Sequence, residues 1–191
     1  MMKAVALQIS VAAAIAFAQQ NTKQPTPVLT VCEVIGNADR YTNTAAAVVG
    51  RLERSVSTID SYDFLSQDGC RRPFVINGHT CSNKIIIGSY AEEGMPQPPT
   101  LTSELDPAVV ALKLAEVRKT SKLGSHEEPQ FGPNAHSPTV TVPNRWAIVY
   151  GRIFRPHSEG CGGFDVPLIL LANPNEVRVV TADGKLTQHN H

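Results

Sequence analysis

The sequence predicts a mostly β protein with one long helix, arranged as a five-stranded, partly open barrel. Three observations predict it. Five stretches rich in β-branched and aromatic residues are separated by turn signals. One apolar stripe of helical period falls between the third stretch and the fourth. Two of the strand-like stretches carry a glycine in mid-run, the mark of a bulge or sharp bend. An irregular β-sandwich with one helix is the alternative; the position of the helix favours the barrel.

Taken in order, Lys3, the apolar run Ala4 to Ala16 and the small residues of Ala16-Phe17-Ala18 read as a signal peptide over 1–18, cleaved before Gln19. The run is too short for a membrane span, which needs about 20 apolar residues, and no cysteine follows it to carry a lipid. The protein is therefore expected to be exported, periplasmic or secreted. Residues 19–27 (QQNTKQPTP) form a polar leader with no apolar period. A single domain is expected over 28–186. Val31 to Ile35 is mostly apolar, and Asn37-Ala38-Asp39 reads as a short helix or turn closing at Tyr41.

The first strand lies in AAAVVGRLERSV from Ala45, around Gly50. The second, Ser61 to Ser66, ends at the turn signal Gln67-Asp68-Gly69. Lys84 to Tyr90 supplies the third, with three isoleucines in a row. Ser103, Glu104 and Asp106 place acceptors and negative charge at the start of the helix, and Pro107 suits its first turn. Its stripe is Val109, Val110, Leu112, Leu114, Ala115 and Val117; Arg118, Lys119 and Lys122 suit its negative C-terminal end, and Gly124 stops it. Ser125 to Pro143, with four prolines, reads as a surface loop. Arg145 to Phe154 is the fourth strand, anchored by Trp146. Val166 to Leu171 with Val177 to Val180 make a fifth, split at Asn173-Pro174. The tail 187–191 reads as disordered.

An internal echo accompanies these strands. Val48-Val49-Gly50-Arg51-Leu52-Glu53-Arg54 matches Val149-Tyr150-Gly151-Arg152-Ile153-Phe154-Arg155, and each copy precedes an acid-Gly-Cys turn. Unequal spacing rules out a regular repeat. The expectation is two bent strands whose glycines adopt positive φ at bulges.

Three strands, a helix and two strands is the element order of the oligonucleotide/oligosaccharide-binding (OB) fold. The segment from Val28 to Ser66 also resembles small exported bacterial OB-like proteins in its Cys32-Glu33-Val34 start, its Asn37-Ala38-Asp39-Arg40-Tyr41 turn and its Val48-Val49-Gly50-Arg51 strand. It departs from them at Asn43-Thr44, where such proteins often carry Gly-Lys. The resemblance implies a fold and a surface, and no substrate.

Cys32, Cys70, Cys81 and Cys161 are an even set in a chain expected to be exported, which points to two disulfides; four cysteines allow three connectivities. Cys32–Cys70 with Cys81–Cys161 is favoured, since the first bridge would tie the segment before the first strand to the turn ending the first hairpin.

Charge narrows the partners. Seventeen Lys and Arg balance seventeen Asp and Glu, and loss of Lys3 leaves one excess negative charge. Nucleic acid and anionic membrane are disfavoured, because such binders carry a basic excess. Arg51 to Arg54 and Arg71-Arg72 are expected at solvated strand ends or turns.

No catalytic constellation emerges. Ser55, Ser57 and Ser61 near Asp60 and Asp63 lack a nucleophile elbow and a local histidine. The adjacent pairs Glu92-Glu93 and Glu127-Glu128 suit solvated loops better than acid–base work, and Gly160-Cys161-Gly162-Gly163 lacks the Lys-Ser/Thr of a phosphate cradle. His79, Cys81, His157 and Cys161 could together supply two nitrogen and two sulfur ligands for zinc or copper; the competing reading is a Cys81–Cys161 disulfide. The favoured function is a non-enzymatic exported binding module without a cofactor. Its candidate surface is Tyr62, Phe64, Arg71, Arg72 and Phe164, and its partner an envelope protein, peptide or saccharide.

Overall fold

The computed structural model describes residues 25–56, 61–72, 74–88, 95–102, 104–121, 145–156, 161, 166–180 and 185–188. The expected signal peptide, Ser103, Gly124 and the Ser125–Pro143 loop lie outside the described residues. In chain order the elements are β1 (Val28–Thr30), α1 (Val31–Gly36), α2 (Ala38–Tyr41), β2 (Ala45–Val56), β3 (Ser61–Ser66), β4 (Val75–Ile76), β5 (His79–Thr80) and β6 (Lys84–Gly88). Then come α3 (Pro107–Thr120), β7 (Arg145–Phe154), β8 (Leu168–Leu171), a 3-10 turn (Pro174–Glu176), β9 (Val177–Val180) and β10 (Leu186–Gln188).

Five strands form a ring. β2 pairs antiparallel with β3 and β3 with β6; β6 runs parallel to β8; β8 pairs antiparallel with β7. β7 returns to β2 from Ala45↔Arg152 to Leu52↔Arg145. The barrel is OB-like and closed rather than partly open, and the sandwich alternative falls.

The interior is filled by alternate residues of these strands, among them Val48, Leu52, Leu65, Ile85, Val149 and Leu170. One end is plugged by α1, whose Val31, Val34 and Ile35 join the same core. The plug helix is held by a capping box: Thr30 Oγ1 accepts from the Glu33 amide, and Glu33 Oε2 accepts from the Thr30 amide at 2.8 Å. A second apolar layer lies outside the barrel, where Val110, Leu114 and Val117 of α3 cover Val49, Trp146, Ile148 and Tyr150. Trp146 is the expected anchor.

Two features of α3 differ from expectation. Its N-cap is Asp106, which accepts from the Ala108 amide at 2.9 Å with Pro107 at the first helical position. Its buried stripe is only Val110, Leu114 and Val117; Val109 and Leu112 are 37% and 67% exposed. A helix laid on one outer barrel wall covers a narrower arc than a core helix does.

The fifth strand is split as expected, because its halves tile one edge of β7. β8 pairs with Arg152–Phe154 and β9 with Ala147–Val149 of that strand. β10 then pairs with β9, so ordered pairing includes Thr187 and Gln188 of the segment expected to be a disordered tail.

The echo acquires a structural reason here. β2 changes partner along one edge, from β1 at Ala47–Val49 to β3 at Arg51 onward, and Gly50 stands at the handover. β7 does the same from β9 to β8, and Gly151 stands at its handover. Neither glycine has positive φ, contrary to the bulge expectation; Gly69 and Gly78 do. Close approach excludes the side chain instead. A Cβ on Gly50 would lie 2.8 Å from Val31 Cγ2, and one on Gly151 would lie 2.6 Å from the Leu171 carbonyl oxygen.

Candidate functional site

The cysteines pair as Cys32–Cys70 and Cys81–Cys161, with Cα separations of 5.1 and 5.4 Å, and none among the described residues is free. The pairing suits an oxidising, non-cytoplasmic compartment. It also singles out the excursion between β3 and β6. Residues 70–81 begin at one bridged cysteine and end at the other, so both ends of the excursion are locked covalently.

Local chemistry shapes what lies between. Gly69, at φ 69°, turns the chain ahead of Cys70. Asn77 and Gly78 have φ of 49° and 82°, which makes a tight hairpin turn joining β4 to β5, with Ile76 opposite His79. The Cys81 amide donates to the Phe74 carbonyl at 2.8 Å and closes the base. Phe74 tucks against the barrel core, whereas Arg71, Arg72, Val75 and His79 are exposed.

This excursion leans on the plugged end of the barrel. A Cβ on Gly36 would lie 3.6 Å from Arg72 Cβ, an ordinary contact distance that places the loop beside the end of α1. The Arg155 guanidinium stacks 5.1 Å above the Phe74 ring and bonds Asp39 Oδ1 at 3.0 Å. Arg40, on the same end, lies 5.5 Å from the Tyr41 ring centre. Arg155 thus pairs with Asp39, whose side chain is 93% exposed, while Arg71 and Arg72 on the excursion are exposed.

The other candidate residues do not join this face. Phe64 projects from the outer wall of the barrel but is only 5% exposed, with Lys84 Nζ 5.8 Å from its ring centre, so it presents no free ring for stacking. Tyr62 is half-buried on the same wall, four residues from the end of β3, about 13 Å at 3.3 Å per residue. Phe164 and His157 lie outside the described residues. The zinc or copper set is overturned at its sulfur half: Cys81 and Cys161 are bonded to each other and offer no thiolate. Among the described residues no group of three metal-ligating side chains converges.

The arginines near Gly50 are not the solvated strand ends expected. Glu53 Oε1 accepts from Arg51 Nη2 at 2.7 Å and from Ser66 Oγ at 2.5 Å, while Glu53 Oε2 meets Lys84 Nζ at 2.7 Å. Burial pushes the Glu53 carboxyl up, but hydrogen bonds from Lys84, Ser66 and Arg51 outweigh it and hold the group below its ordinary range. Arg54 forms a two-pronged pair with Asp63, at 2.7 and 2.9 Å, which raises the guanidinium further above its usual value. These pairs brace the wall between β2, β3 and β6 and leave it little spare charge.

Sequence reasoning found Arg71 and Arg72 and missed Arg40, Phe74, Val75 and Arg155. The signal for the hairpin was present in Asn77-Gly78, a dipeptide that favours a two-residue turn. No signal foretold that Arg155 would reach Phe74.

No protein-family model, curated protein or solved structure matches the chain.

Proposed function

We propose that the protein is an exported, disulfide-stabilised, non-enzymatic binding module that grips an acidic peptide or acidic protein face through residues 70–81 and the adjoining arginines. One observation carries the reading: the excursion bridged at both ends displays its side chains to solvent. Loops held rigid in this way lose little entropy on binding, and an exposed valine on the same excursion as Arg71 and Arg72 adds apolar contact to charge. Val75 is 53% exposed. Carboxylate partners suit Arg71, Arg72 and Arg40, because a guanidinium meets a carboxylate with two hydrogen bonds. A saccharide is less supported, since Phe64 is covered. Export itself is part of the reading; the exported protein should begin at Gln19 by intact-mass analysis, and a retained Met1 would refute that step.

The binding test is a capture experiment from envelope extract with the wild type and an Arg71→Glu/Arg72→Glu variant of equal melting temperature. Partners held by the wild type should be lost from the variant, and a Glu-rich peptide or raised salt should release them. Identical partner lists would place the binding surface elsewhere.

A further inference from the structure

A second site lies on the far side of the second apolar layer. The strap that precedes α3, together with α3 and the outer face of β9 and β10, encloses an open groove of about 820 Å³. Its floor is Val110 and Leu114; Leu101 and Leu105 of the strap form one wall and Leu186 of β10 the other. The strap is fixed in place. The Leu101 amide donates to Glu176 Oε1 at 3.1 Å, and Asn173 Nδ2 donates to the Pro99 carbonyl at 3.2 Å. The groove is therefore preformed, within the range of about 300–1,000 Å³ usual for small-molecule sites.

Its charged lining consists of Arg178, Lys185 and Glu104, of which Glu104 and Lys185 are exposed, so Arg178 is the charge drawn back from water. Arg178 is half-buried, and among the described residues no carboxylate pairs with it. A guanidinium partly withdrawn from water beside an apolar trough favours an anion attached to a hydrocarbon. We propose that the groove binds a single-chain fatty acid, with its carboxylate at Arg178 and its chain along Leu101, Leu105, Val110 and Leu114. This site is independent of residues 70–81.

Calorimetric titration of the oxidised protein with dodecanoate and with dodecyltrimethylammonium tests it. Dodecanoate should saturate one site well below the concentration at which it self-associates. The cationic amphiphile, equal in chain length, should bind about tenfold or more weakly. Arg178→Gln should abolish that preference, Leu105→Ser should weaken both ligands, and Arg71→Glu/Arg72→Glu should leave dodecanoate binding unchanged. Each variant is compared at equal melting temperature, with Arg178→Met as a second neutral variant should Arg178→Gln fold poorly. Equal affinity for the two amphiphiles, or no saturable dodecanoate binding, would overturn the proposal.

Discussion

β2 and β7 run side by side with nearly the same residues and meet different surroundings. Their register sets Gly50 opposite Ala147 and Gly151 opposite Ala46, so a local two-fold relates the two strands. Each glycine marks the point where the strand's other edge changes partner, and each faces an alanine across the pair. The likeness ends one residue later. Arg51 is followed by Glu53, which takes its guanidinium; Arg152 is followed by Phe154 and bonds only the Asn43 carbonyl, at 2.9 Å, leaving its Nε without a partner. A shared backbone task has produced a shared glycine, while each side chain answers to its own neighbours.

The glycines give the largest expected effect. At Gly151 the obstruction is backbone, the Leu171 carbonyl at 2.6 Å, with Leu170 Cγ at 3.0 Å behind it. At Gly50 the nearest atom is a side-chain methyl of Val31 at 2.8 Å. A methyl on the plug helix can give way more easily than a paired strand. Gly151→Ala should destabilise by about 3 kcal/mol and Gly50→Ala by about 1–2 kcal/mol, with valine worse at both. Denaturant midpoints measure the difference. Equal losses would mean that the surroundings of Gly50, where the Ser66 carbonyl oxygen at 3.1 Å and Leu65 Cβ at 3.2 Å stand behind the Val31 methyl, are as unyielding as those of Gly151.

The arginines sharpen the contrast at a smaller scale. Removing Arg51 strips one partner from a carboxylate that is nearly buried, and Arg51→Ala should cost about 1–3 kcal/mol; Arg152→Ala removes one hydrogen bond to a carbonyl and should cost about 1 kcal/mol or less. The asymmetry extends to pH. The folded pKa of Glu53 lies below its unfolded value of 4.5. Its stabilisation is therefore present above that value and is lost as pH falls through the folded pKa. Glu53→Gln should lower stability at neutral pH and flatten the acid limb of the stability curve. An acid limb unchanged in the variant would show that other carboxylates govern it.

What could be read from the chain divides along the same line. The barrel and its helix follow from patterns that backbone geometry and solvent impose on any sequence, apolar alternation, caps and turns, whereas the even cysteine set implied two bridges and left three connectivities open. Gly50 and Gly151 were visible as special positions, but their cause was not. Glycine serves positive φ and close approach alike, and only the position of Val31 or Leu171 distinguishes the two. Long-range polar partners were illegible for a related reason. Nothing local to Arg155 names Phe74 or Asp39, and nothing local to Arg51 and Glu53 names Ser66 or Lys84. The face formed by residues 70–81 is half of each kind: its tethers were readable from the cysteines, and its neighbours came only with the fold.

The smallest expected effect concerns the seam where β2 begins against the end of β7. Asn43 has φ of 66°, the left-handed region, and is clamped there: its amide donates to the Ile153 carbonyl at 2.7 Å, and its own carbonyl accepts from Arg152. Glycine and asparagine are the two residues that most readily take this conformation. Asn43→Gly should change stability by only a few tenths of a kcal/mol, while Asn43→Ala, which keeps a Cβ but loses the local polar compensation, should cost about 1 kcal/mol. Thermal unfolding of both variants in the Arg152→Ala background separates conformation from contact. If the alanine penalty persists there, it arises from φ; if it vanishes, the arginine was what held the turn, and β7 would prove to fix the start of β2 through a side chain.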